Sequence, residues 1–114
     1  MNTAICMLYR DGNDDKTTLT EVVAGEISFA DVKTYLDEGK YFIPKDVGLP
    51  HPGITFLEKG YEWPTEADHP WVEVDEDSFE PTRNNPTTKP TAQELIAAFK
   101  TASEKGWPGQ NKES

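Results

Sequence analysis

A single cysteine, Cys6, is the chain's whole thiol complement, which excludes an intrachain disulfide and any zinc site built on paired cysteines. Apolar residues are also scarce: at 35% of 114 residues they can fill one small core and no second. No apolar run approaches the ~18 residues of a membrane span, and no basic start leads into a signal-type apolar stretch. Positive charge is in deficit, with 11 Lys and Arg against 21 Asp and Glu and a net charge of −10. That balance is the reverse of the basic footprint of a protein that grips nucleic-acid phosphate, and it suits an anionic membrane surface no better. A glycine-rich nucleotide loop, a Gly-x-Ser-x-Gly elbow and an internal repeat are all missing. The expectation is one acidic α+β domain of the cytosol that binds neither nucleic acid nor membrane directly and takes no cofactor.

What is present organises the chain as follows. Ala4-Ile5-Cys6-Met7-Leu8-Tyr9 is the densest apolar run, apolar on both alternating faces as in a central, doubly covered strand. The turn formers Asp11 to Asp15 and the β-branched stretch from Thr17 to Ala24 make an opening β-hairpin with it. Ser28 and Asp31 resemble a capping box, and Phe29, Val32 and Leu36 fall on one stripe of a short helix over 28–38 that Gly39 ends. Tyr41-Phe42-Ile43 is a short apolar burst; Asp46 to Pro50 reads as one helical turn halted by Pro50 and Pro52, and Ile54 to Leu57 as a short strand or packed loop. Alternation returns at Trp71 to Asp75, with a bulge expected because the pattern slips near Glu76.

Residues 81–90 are rich in proline and nearly devoid of apolar side chains, so they read as an extended connector that buries too little to order itself. Thr91 and Glu94 form a capping box for a last helix, with Leu95, Phe99 and Ala102 on one side and Gly106 at its end. The fold expected is α+β: an antiparallel sheet of three or four strands, a central helix and a C-terminal helix. Residues 1–80 form the domain, 91–106 a helix docked or partner-bound, and 107–114 a frayed tail.

No catalytic centre assembles. His51 and His69 each precede a proline, and with Asp68 and Asp46 they sketch a metal or general-base site, yet their spacing matches no zinc motif. A small metal-dependent or hydrolytic enzyme on His51, His69 and Asp68 is the alternative reading; solvated loop histidines are the plainer one. Cys6, within a core-like strand, reads as a small buried hydrophobe. The run Asp75-Glu76-Asp77 lacks the glycine and distant glutamate of a calcium loop.

Charge distribution is more informative. Residues 61–80 hold eight acidic residues, Glu62, Glu66, Asp68, Glu73, Asp75, Glu76, Asp77 and Glu80, and no Lys or Arg. If Glu73, Asp75 and Asp77 share one face of an extended strand, their carboxylates repeat every ~6.6–6.8 Å, about twice the ~3.4 Å phosphate spacing along one DNA strand. Such a row imitates phosphates and occupies a basic groove; the plainer reading is a solvated face that keeps a small protein soluble. Tyr61, Trp63, Trp71 and Phe79 interleave with the acids and supply anchors or core. The expected partner-binding set is Glu62, Trp63, Glu66, Asp68, Glu73, Asp75, Asp77 and Glu80, facing a basic protein surface such as that of a nucleic-acid-binding protein. A third reading is an oligomeric component in which residues 81–114 reach a neighbour.

Tyr9-Arg10-Asp11-Gly12, then Tyr41-Phe42-Ile43-Pro44 running into Val47-Gly48-Leu49-Pro50, then His69-Pro70-Trp71-x-Glu73, resembles a pattern in small acidic proteins of bacteria and their mobile elements. The resemblance spans residues 5–80 and carries no catalytic signature. It implies an accessory protein of a phage or plasmid, a setting in which small acidic proteins bind and block host proteins; it assigns no activity and no site residue.

Overall fold

A computed structural model describes residues 1–12, 15–64 and 69–107. The chain forms a five-stranded antiparallel sheet with short helices and one long C-terminal helix. Strand β1 (Asn2–Arg10) is central. β2 (Lys16–Val23) pairs with its whole length, from Thr3 opposite Val23 to Arg10 opposite Lys16. The other side of β1 is shared: β4 (Val72–Glu73) meets it at Leu8, and β5 (Phe79–Thr82) runs beside Asn2 to Ile5. β3 (Tyr41–Phe42) adds to the outside of β4.

β1 is central in the sheet but covered on one face only, which corrects the doubly covered strand read from its composition. Thr3, Ile5, Met7 and Tyr9 are buried, whereas Ala4, Cys6 and Leu8 are half-exposed. The reason lies in the neighbours across the register. Cys6 faces Thr20, Leu8 faces Thr18 and Glu73, and Ala4 lies between Glu80 and the buried Val22, so that side of the sheet is mostly polar and solvated. Cys6 is therefore on the open face and not in the core.

The helices bury the other face. α1 (Phe29–Val32) starts where the Ser28 N–H donates to Asp31 Oδ2 at 2.9 Å, and it tightens into a 3-10 turn (Lys33–Tyr35) before reaching Gly39. α2 (Pro44–Val47) begins on a proline and stops at Gly48, whose φ of 85° ends the turn two residues before Pro50 can. Residues 54–57 are not strand or loop: α3 (Ile54–Glu58) follows Pro52 and Gly53, and Gly60 at φ 91° closes it. α4 (Ala92–Lys105) opens with Thr91 Oγ1 accepting from Glu94 N–H at 3.2 Å and Glu94 Oε1 accepting from Thr91 N–H at 2.9 Å. It docks in cis, placing Ala92, Leu95, Phe99 and Ala102 in the core with Val32, Phe42 and Val47. Trp107 is not frayed: it is 2% exposed and packs on Phe99 and Trp71. Residues 108–114 lie outside the described residues.

The proline-rich connector is ordered, against the expectation, and polar bonds rather than burial order it. Asn2 Nδ2 donates to Asn84 O at 2.9 Å, on the β5 side of β1. On the β2 side Thr87 N–H donates to Val22 O and Val22 N–H to Thr87 Oγ1, both at 2.8 Å. The segment thus crosses the end of the sheet and delivers Thr91 beside Ala24, where α4 begins. Among the described residues no helix is long and apolar enough to cross a membrane.

Candidate binding site

The acidic segment is shaped by a mismatch in register. Between Leu8 opposite Glu73 and Ile5 opposite Phe79, β1 advances three residues while the partner strand advances six. The surplus is taken up by a 3-10 turn (Glu76–Ser78), at the place where the sequence pattern slips. Asp75 builds that turn: its Oδ1 accepts from Asp77 N–H at 2.9 Å and from Ser78 Oγ at 3.3 Å, and Ser78 Oγ accepts from Asp75 N–H at 3.0 Å. Val74 N–H, donating to Lys40 O at 3.0 Å, fixes the strand just before it.

These bonds undo the regular carboxylate row. Glu73 is half-buried in β4 and paired with Arg10, whose Nε donates to Glu73 Oε2 at 3.0 Å. Asp75 turns its carboxylate onto the Asp77 N–H and the Ser78 hydroxyl, and Asp77 lies in a 3-10 turn instead of a strand. The condition for a repeat at twice the strand rise, one continuous extended segment from Glu73 to Asp77, is not met. What is displayed is a compact projection carrying Asp75, Glu76 and Asp77, all exposed, with Glu80 exposed on β5 beyond it.

Nor do the expected residues form one patch. Glu62 is exposed beside Tyr61, itself 65% exposed, while the half-buried Trp63 stacks on His51 with centroids 5.1 Å apart. His51 in turn sets its ring against Tyr9 at 4.6 Å. Tyr9 ends the buried side of β1, and about 13 Å of strand separates it from Ile5, where β5 starts. Glu62 and Trp63 thus belong to one end of the sheet, and the 75–80 projection to the other. Glu66 and Asp68 lie outside the described residues.

The two histidines converge on Tyr9, in two turns built alike. Gly53 N–H donates to His51 Nδ1 at 2.8 Å, and Trp71 N–H donates to His69 Nδ1 at 3.1 Å; each ring caps its own His-Pro turn. His69 Nε2 bonds Arg10 O at 2.6 Å, and with Nδ1 accepting, the proton sits on Nε2. The His69 backbone N–H donates to the Tyr9 hydroxyl at 3.2 Å. Both ring nitrogens of His69 therefore hold backbone, and among the described residues no group of three or more His, Cys, Asp or Glu side chains is placed to hold a metal ion.

Sequence reasoning missed the other wall of the site. The loop over 26–28 and α1 face the 3-10 turn and β5 across an open cleft of about 1010 Å³. Phe29 and Phe79 meet there at 6.2 Å, both partly buried against the core. The carboxylates of Glu26, Asp31 and Glu76 stand around them. The only local sign was Phe79 after an acidic run; Phe29 reads as an ordinary core position of its helix. The molecule is thus a two-layer α+β domain, one sheet face open and an acidic projection beside an aromatic cleft. Set against protein-family models, curated proteins and solved structures, the chain matches none of them.

Proposed function

We propose that the protein is a non-enzymatic binding module that meets a basic protein surface through the carboxylates of the 3-10 turn and β5. One observation carries the reading: Glu76, Asp77 and Glu80 are exposed on backbone held by the β1 register and the Asp75 cap, with no cation paired to them among the described residues. Charges held in place before binding lose little freedom when a partner arrives, and a net charge of −10 speeds encounter with a basic one. The resemblance to accessory proteins of mobile elements adds a role, occupying and blocking a host protein. Imitation of nucleic acid is the narrower form of this reading, in which that host protein's basic groove ordinarily holds DNA or RNA.

The test compares the wild type with a Glu76→Gln, Asp77→Asn, Glu80→Gln variant as baits in nuclease-treated bacterial lysate. Glu73 and Asp75 are left intact because they hold local structure. The expected result is a basic protein retained by the wild type, lost by the variant, and released as salt rises. Displacement of that protein by DNA would support the narrower form. Identical capture by both baits would end the proposal.

A further inference from the structure

The cleft beside the projection indicates what kind of basic partner it suits. Its floor is apolar: Phe29 and Phe79 are partly buried, with Pro81 and the 61% exposed Met1 alongside. Its two walls differ in charge balance. On the α1 side the chain's own cations already sit by the rim, with Lys33 Nζ 5.9 Å from the Phe29 ring centroid and the terminal amine 3.9 Å from Glu26. On the turn side the wall carries Glu76, with the exposed Asp77 next to it in the chain, and neither has such a cation among the described residues. The Lys33 ammonium near the Phe29 ring is a cation–aromatic contact of the kind a basic side chain can make at this rim.

We infer that the cleft between α1 and the Glu76–Ser78 turn takes a short basic segment of a partner protein, seating one bulky apolar side chain on Phe29 and Phe79 and placing Lys or Arg beside Glu76 and Asp77. This deepens the basic-surface reading and rests on it. The apolar anchor adds affinity to that of the charges, and the carboxylates of the turn select against acidic or neutral segments. A volume of about 1010 Å³ has room for an extended segment of a few residues.

The experiment uses the full chain labelled with nitrogen-15 and three synthetic peptides: lysine-rich with one central leucine, the same with alanine for the leucine, and the leucine peptide with glutamate for each lysine. The leucine–lysine peptide is expected to shift the amide signals of residues 27–33 and 76–80, to bind about tenfold more tightly than the alanine peptide, and to outbind the acidic one entirely. Glu76→Lys with Asp77→Lys, both exposed positions, should weaken it similarly without altering the unbound spectrum elsewhere. Equal binding of the leucine and alanine peptides, with shifts still at residues 76–80, would overturn the cleft and leave the basic-surface reading standing, whereas shifts confined to residues 61–63 would overturn both. No shift with either basic peptide at low salt would overturn both.

Discussion

Trp107 donates its indole N–H to the carbonyl of Tyr35 at 3.0 Å, across 72 positions of sequence, and so ties the end of α4 to the 3-10 turn that follows α1. The ring is the largest fully buried side chain and bridges Phe99 and Trp71. Trp107→Ala should therefore cost about 3–5 kcal/mol, a large share of what a domain this size holds. Trp107→Phe should recover part of it, keeping ring packing while losing the donor. Urea unfolding followed by far-ultraviolet circular dichroism measures both; an unchanged midpoint for the alanine variant would refute the role.

Gly53 is needed for space and not for its backbone angles, since it lies in the ordinary right-handed region. A Cβ there would overlap the Trp63 indole. Gly53→Ala should push the indole off His51 and cost about 1–3 kcal/mol. Near-ultraviolet circular dichroism should lose intensity, and the spectrum of a Gly53→Ala, Trp63→Ala double variant should show no further penalty from the methyl.

Thr3 is the buried polar residue of β1, and its hydroxyl is engaged twice: it donates to Gly25 O at 2.9 Å and accepts from Ile27 N–H at 3.1 Å. Thr3→Val keeps the shape and strands both backbone groups, a loss of about 1–3 kcal/mol, while Thr3→Ser should restore most of it. Thermal melts of the three proteins decide the matter: valine and serine variants that melt together would leave the hydroxyl without this function.

Within the acidic projection, structure and display are separable. Asp75→Ala removes the cap of the Glu76–Ser78 turn and should cost about 1 kcal/mol. Asp77→Asn, exposed and using only its backbone N–H in the turn, should stay within about 0.5 kcal/mol of wild type. Hydrogen exchange at the Asp77 and Ser78 amides should quicken in the first variant alone. Faster exchange in both would mean that the turn depends on its net charge and not on the cap.

Several of these features could be read locally. The Thr91–Glu94 box opens α4 because both partners lie within one helical turn and meet whatever the rest of the chain does. The slip near Glu76 was legible because the period of a strand is two and any surplus residues break it. The helix at Ile54–Glu58 was not legible: four apolar or β-branched residues satisfy a strand and a helical turn equally, and Pro52 and Gly53 decide between them only once they are packed. The connector misled for a different reason, since its order comes from the backbone edge groups of Val22 and from Asn2, which no composition count contains.

The hairpin, the helix caps and the concentration of carboxylates between residues 61 and 80 are local properties of the chain, because each depends on neighbours a few positions apart. What the carboxylates face depends instead on long-range pairing. Pairing β4 and β5 to separate halves of β1 binds Glu73 to Arg10 and sets Glu76 at the cleft that holds Phe29. It leaves Glu62 and Trp63 at the far end of the strand. Those distances follow from strand register and from which face of β1 the helices cover, and both arise from contacts summed over the whole core.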